Sequence, residues 1–279
     1  MPVANKYRLA AVKIGTVVIG QITDESYSPA AALMMADNSA TGQEIIAGVD
    51  LTDVRAAFST TAVKTALATL GLAAIDLAAA AAVLYFAKYT AGGAVGSATY
   101  ATVTIAKGIA YVTSIAASLG QPASVSVAIV GASADGTTAP HVVASGVAAP
   151  TMTAGELYTL GEPAAITSLS IDSGIAAIVD RADLDVFNTF VAAEPARPRI
   201  RYTTADLEDD EISTAVDEFT LANVPQGGTR GIAPITFSLN QSLAHVTTVG
   251  GSPFGSEIEV VPTFDGTNAP IVITGVAAA

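Results

Sequence analysis

The chain has 279 residues, a formal charge of -13 and no cysteine; 51% of it is hydrophobic, yet only 6% is aromatic and tryptophan is absent. Without cysteine there can be no disulfide, thiolate metal site or cysteine nucleophile, and two histidines, His141 and His245, rule out a three-imidazole site and leave Ser-His chemistry only two candidate bases. So acidic a surface repels phosphates, which argues against sequence-reading nucleic-acid binding but suits a wall past which DNA slides without sticking.

Ala, Val, Ile and Thr carry the apolar content, and small and β-branched side chains suit pleated sheets. Met1–Lys13 is charged and lacks an apolar stretch of signal-peptide length. A first strand is predicted over Val12–Thr23, then a loop or hairpin region across Ser26–Gly48, rich in Asp, Asn, Ser and Gly, then a strand ending at Phe58. Thr60-Thr61 supplies an N-cap, because a hydroxyl accepts a bond from an orphan backbone N–H. Val63, Ala66, Leu67 and Leu70 recur at helical spacing, and Gly71 is the expected stop. The longest apolar run, Leu70–Ala87, is mostly alanine with Asp76 near its middle. An aspartate at a bilayer centre costs about 2.5–3.5 kcal/mol and alanine repays little, so this run reads as a packed helix-then-strand and not as a membrane span. Strands follow over Tyr100–Ile105 and Ser124–Val130, a tight turn at Asp135-Gly136, and a closing strand.

The second half restates this order. Asp135-Gly-Thr-Thr-Ala-Pro140 recurs as Asp265-Gly-Thr-Asn-Ala-Pro270, each followed by a short apolar strand and Gly-Val-Ala-Ala at 146–149 and 275–278. Thr102-Val-Thr-Ile105 with Ala110–Ile115 matches Thr236-Phe-Ser-Leu239 with Ala244–Val249. Arg55–Thr60 matches Arg199–Thr204, and Ile19–Thr23 matches Ile166–Ser170. The four matches are collinear, at offsets of 147 (Ile19 to Ile166), 144 (Arg55 to Arg199), 134 (Thr102 to Thr236) and 130 (Asp135 to Asp265). The drop from 144 to 134 assigns about ten extra residues to the first half, at Leu72–Ala82. The chain therefore reads as mainly β: two tandem copies of a β-sandwich or barrel with one short α-helix each, at 1–150 and 151–279, joined through the Pro-containing seam at Ala148–Thr153. In the second copy the helix is expected to begin at Asp206-Leu-Glu-Asp-Asp-Glu211, its acids at the positive end of the dipole.

Arg197, Arg199 and Arg201 alternate with other residues, which on a strand puts all three guanidinium groups on one face. They are read as subunit-interface residues pairing with acids of a neighbouring subunit, against the plainer reading of a solvated edge strand blunted by Pro195 and Pro198. Glu208–Glu211 lacks the ligand order of a calcium loop. His245 stands where the first copy has Tyr111, and His141 where the second has Ile271, so both read as packing choices. No Gly-x-Ser-x-Gly, phosphate-loop or His-Glu-x-x-His pattern occurs, and Gly92-Gly93 and Gly227-Gly228 precede strands. No catalytic, cofactor-binding or metal-binding residue is assigned, and the chain is not expected to be an enzyme.

The order strand, long loop, strand ending in Phe-Ser-Thr-Thr, short helix and run of strands resembles the tail tube (major tail) protein of long-tailed bacteriophages. Phe58–Gly71 carries the likeness most strongly, followed by Ile166–Asp172 with Arg199–Thr204. The resemblance implies a structural virion protein: six copies of the fold form a ring whose inner β-barrel lines a channel, and rings stack through loops and arms. A duplicated subunit implies a homo-trimer with pseudo-six-fold rings. It further implies other tail proteins as partners, phage DNA as transient non-specific cargo, no cofactor, no membrane, synthesis in the host cytoplasm and residence in the tail of the virion. Ser26–Gly48 and Asp180–Glu194 are the stacking candidates. The competing readings are another non-catalytic virion β-protein, such as a tail hub ring or capsid decoration protein, or a lectin-like surface protein, which usually displays the tryptophan this chain lacks.

Overall fold

The computed structural model describes residues 7–38, 43–88, 99–152, 155–162, 166–183, 185–195, 197–204, 218–224, 233–250, 255–264 and 266–276; side chains at 29–52, 99, 241, 243–250 and 255 are outside the description. Alternating β-branched and small polar residues make the chain mainly β, and its ladders are antiparallel.

The first sheet contains β1 (Tyr7–Ile14), β2 (Val17–Ile19), β6 (Ala82–Lys88), β7 (Thr99–Ile105) and β10 (His141–Ala148), in the order β10-β7-β6-β1-β2. The second contains β11 (Tyr158–Leu160), β16 (Glu218–Asn223), β17 (Ile235–Leu239) and β20 (Ile271–Thr274), in the order β11-β16-β17-β20. A long sheet draws on both halves of the chain: β3 (Ile22–Asn38), β4 (Gln43–Thr60), β8 (Gly108–Ser118), β9 (Ser124–Gly131), β12 (Ile166–Asp172), β15 (Arg199–Thr204), β18 (Gln241–Gly250) and β19 (Gly255–Thr263). Its order is β18-β19-β15-β12-β8-β9-β4-β3, with β5 (Ile75–Asp76) added beside β8. β13 (Ala177–Asp180) and β14 (Phe190–Ala193) form a separate hairpin.

One apolar core joins the inward rows of the long sheet to those of both smaller sheets. Ala56, Phe58, Val112, Ile115, Val127, Leu169, Ile171, Tyr202, Ile258 and Val260 come from the long sheet; Leu84, Ile105, Phe219 and Phe237 face them. The strands alternate as a half-buried sheet requires: Ile200, Tyr202 and Thr204 of β15 are buried, whereas Arg199 and Arg201 are exposed. Each large side chain withdrawn in this way contributes about 1.5–3 kcal/mol.

The helix α1 spans Val63–Leu70 and is the one helix among the described residues. It buries Val63, Ala66, Leu67 and Leu70, as its periodicity predicts, and Gly71 ends it at φ 59° with its N–H on Leu67 O at 2.8 Å. Its start differs from expectation. Thr60 Oγ1 accepts the N–H of Ala62 (3.0 Å) and donates to Gly20 O (2.6 Å), so the hydroxyl ties down the residue before the helix and the cap itself is Ala62. The second helix, expected from Asp206, lies outside the described residues.

The first strand needs correction. Val12–Thr23 is not one strand but parts of three, interrupted at Gly15-Thr16 and Gly20-Gln21, where Gln21 has φ 53°. Of the loop and hairpin readings of Ser26–Gly48, the hairpin holds: β3 and β4 pair antiparallel from Ile22 opposite Thr60 to Asn38 opposite Gln43. The tight turn expected at Asp135-Gly136 is there, with Gly136 at φ 72° and Asp135 Oδ1 accepting the Thr137 and Thr138 N–H groups, on the crossing from β9 in the long sheet to β10 in the first. No helix among the described residues is long and apolar enough to cross a membrane.

Candidate functional site

The three arginines part company. Arg199 and Arg201 project from the same face of β15, and both reach Glu259 of the adjacent strand β19, with Arg199 Nη1 to Glu259 Oε1 at 3.0 Å and Arg201 Nη2 to the same oxygen at 3.4 Å. Both guanidinium groups are more than half exposed while the carboxylate is buried. The Arg199 hydrogen bond, with help from Arg201, holds the Glu259 carboxyl below the usual glutamate range against the opposing effect of burial. The acid they meet therefore belongs to their own chain. Arg197 precedes the strand and is exposed; its neighbours Pro198, Val261, Pro262, Phe264 and Pro270 line a cleft of about 370 Å³.

The histidines offer no catalytic arrangement among the described residues. His141 opens β10, its ring set edge-on to Tyr27 with centroids 6.1 Å apart and its Nδ1 buried without a hydrogen-bond partner. Burial raises the Tyr27 phenol above its ordinary pKa. His245 lies on β18 opposite Glu259. No three His, Asp or Glu side chains converge on a metal position among the described residues. A cleft of about 570 Å³ between Lys13, Lys64, Tyr85 and Glu156 holds a Lys64–Glu156 ion pair at 3.6 Å.

Asp135 organises a compact loop. Its Oδ1 accepts the N–H groups of Thr137 (3.0 Å) and Thr138 (2.7 Å), and Oδ2 accepts the Thr138 hydroxyl (2.8 Å). The Thr138 and Thr137 bonds push its carboxyl well below the usual range. The next carbonyl, Gly136 O, accepts the N–H groups of Val186 (2.9 Å) and Phe187 (3.0 Å).

The most informative surface is the pair of open edges on the long sheet. Its two contributions meet at β12 and β8, paired from Ser168 opposite Ser118 to Asp172 opposite Ser114. Two flanking bonds extend this junction: Ser173 N–H to Thr113 O (3.0 Å) and Leu119 N–H to Thr167 O (2.9 Å). These bonds set the alternation, so the backbone groups of Leu169 and Ile171 point at β8, and those of Ile115 and Ala117 point back. Ile115 and Ile171 drop into the core, while Ser114, Ala116, Ser170 and Asp172 stay on the other face. At the ends of the sheet, among the described residues, β3 pairs only with β4 and β18 only with β19. Each presents a row of backbone donors and acceptors with no strand beside it, a template for another chain. Sequence reasoning found neither the junction nor the edges. The one available signal was the Ser-Leu-Ser-Ile alternation of Ser168–Ile171, which marks a strand but not its neighbour.

Compared with protein-family models and with curated protein sequences, the chain matches none.

Proposed function

We propose that this chain is a structural subunit that joins copies of itself edge to edge into a three-chain ring, and that the rings stack into a tail tube of the long-tailed-phage type, a virion channel for DNA. The supporting observation is that β3 and β18, left open, are the counterparts of β12 and β8, which already pair within the chain.

That correspondence follows from strand order. The segment 1–150 contributes β10-β7-β6-β1-β2 and β8-β9-β4-β3; the segment 151–279 contributes β20-β17-β16-β11 and β18-β19-β15-β12. Read position by position, the orders coincide apart from β2, and β5 beside β8, which have no counterpart among the described residues. Two irregularities coincide as well. The β3–β4 ladder slips between Ile22 and Asp24, as β12–β15 does between Ile166 and Ser168. The β8–β9 ladder slips between Val112 and Ser114, as β18–β19 does between Val246 and Thr248. Bulges are specific local features, so their recurrence supports duplication better than strand count alone. They also revise the alignment: Ile22, not Ile19, is the counterpart of Ile166, at the same offset of 144 as Arg55 and Arg199.

Transferring the β12–β8 register to two chains sets Tyr27 of one copy opposite Val249 of the next and Ser28 opposite Thr248. A contact between different patches closes into a ring when its rotation divides a full turn. Three chains with eight strands each in the long sheet give a 24-stranded barrel. With strands about 4.7 Å apart and tilted near 40°, its backbone diameter is about 47 Å, wide enough for a DNA duplex. The face away from the core would line it outside the patch of β8–β9 that β13 and β14 cover, with Ser26, Ser28, Ala57, Ser59, Ala116 and Ser170 as small side chains. Its described charged groups are Asp24, Asp53, Asp172, Glu257 and Glu259 against Arg55, Arg199 and Arg201, the last three ion-paired to Asp53 or Glu259. Such a wall offers phosphates few free cations to bind.

Light scattering and negative-stain microscopy of purified protein test the proposal. The expected species has three times the 27.9 kDa chain mass, 83.7 kDa, and forms annuli or hollow tubes. A monodisperse 27.9 kDa species at the highest attainable concentration would overturn it.

A further inference from the structure

The segment between β12 and β15, residues 173–198, folds back over the first half of the chain. Ile175, Ala177, Val179, Val191 and Ala193 cover Ile109, Tyr111 and Val130 on the face of β8–β9 that points away from the main core. Asn188 O accepts the Ser133 N–H at 2.7 Å, and Gly136 O accepts two further amides of the same arm. The half that pairs through β12 thus also lays an arm over the half it pairs with.

The counterpart connection, residues 29–54, has the same length, 26 residues (29 to 54 and 173 to 198). It runs on as the outer parts of β3 and β4, which, among the described residues, pair only with each other beyond Arg55. Its sequence is rich in apolar residues, Pro29-Ala-Ala-Ala-Leu-Met-Met-Ala36 and Ile45-Ile-Ala-Gly-Val49, and carries four acids (Asp37, Glu44, Asp50, Asp53) and no base. The surface equivalent to the covered one lies on β18–β19. Val261 stands there for Val130, beside the cleft formed with Pro198 and Phe264; Phe264 is 61% exposed, and exposed Arg197 rims the same cleft.

We infer that the 29–54 arm of a second copy covers the β18–β19 face at the Phe264 cleft, its acids toward Arg197. The inference rests on the edge-to-edge ring, because the β3–β18 pairing is what brings that arm to that face. It gives the arm a neighbour in the same ring, not a seat on a ring above or below.

The chain has no cysteine and no tryptophan, so introduced thiols and indoles report alone. Mixing Ser28→Cys with Thr248→Cys chains tests the edge register, because this non-hydrogen-bonded pair has disulfide-compatible spacing. Mixing Val49→Cys or Leu33→Cys chains with Phe264→Cys chains tests the arm, under conditions where rings have not stacked. F264W provides a second readout. The expected result is a disulfide-linked dimer in both mixtures and a shift of the F264W emission to shorter wavelength on assembly. An edge disulfide with no arm disulfide and an unshifted, water-exposed indole overturns the arm placement and leaves the ring standing. Absence of both disulfides, with a monomeric mass, overturns both.

Discussion

Replacing Val249 by proline tests the open edge through one of its backbone donors. By the register of its counterpart Ile115, the backbone N–H of Val249 points away from β19, so the fold of a single chain does not use it. Proline is tolerated at such an edge position but cannot donate to an incoming strand. The junction within the chain gives the scale. Two doubly bonded pairs, Leu169 with Ala117 and Ile171 with Ile115, and the two flanking bonds make about six hydrogen bonds, each worth about 1 kcal/mol net. Proline removes one and leaves the facing Tyr27 carbonyl without a donor, a further cost of about 1–3 kcal/mol. The sum, about 2–4 kcal/mol per contact, weakens each by roughly 30- to 700-fold. Sedimentation velocity across a concentration series should show assembly displaced by at least the lower figure, while the isolated chain still unfolds in one cooperative thermal transition. Assembly at the wild-type concentration with an intact fold would refute the edge as the contact.

Two further outcomes follow from the geometry. Phe237, fully buried on β17 and paired opposite Phe219 and Ile273, should lose about 3–5 kcal/mol of stability on substitution by alanine, read from urea unfolding; a loss below 1 kcal/mol would contradict the packing. Asp135 is charged in its loop and its folded pKa lies below the ordinary 3.8, so its contribution is complete above that value and fades only as the pH falls through the depressed folded value. Hydrogen exchange at the Val186 and Phe187 amides should therefore stay protected from neutral pH down to about 4, and Asp135→Ala should remove that protection at every pH; protection lost already near pH 6 would contradict the reading.

What the sequence revealed follows the range over which each feature is decided. The α1 face was legible because Val63, Ala66, Leu67 and Leu70 are set by local periodicity, and Arg199 and Arg201 fell on one face because strand alternation is local too. The 26–48 region was left between loop and hairpin because alanine, asparagine and aspartate are poor strand formers; what holds them extended is the facing strand. Thr60-Thr61 was read as the helix cap, but the Thr60 hydroxyl bridges the Ala62 N–H to Gly20 O, a partner forty residues away that nothing local reveals. The acid that meets Arg199 and Arg201 was sought on another subunit because nothing local ties Glu259 to β15. The β12–β8 junction was invisible for the same reason, being a tertiary choice of neighbour.

Pro29 occupies the place of Ser173, the residue whose N–H extends the in-chain junction to Thr113. An imino nitrogen has no proton to give, so in the proposed ring the seam between copies lacks this bond of the seam within each copy. A cylinder built this way has two grades of joint around its circumference. Under load or dilution it would part along three meridians rather than six, releasing whole chains and sparing the bond pattern inside each.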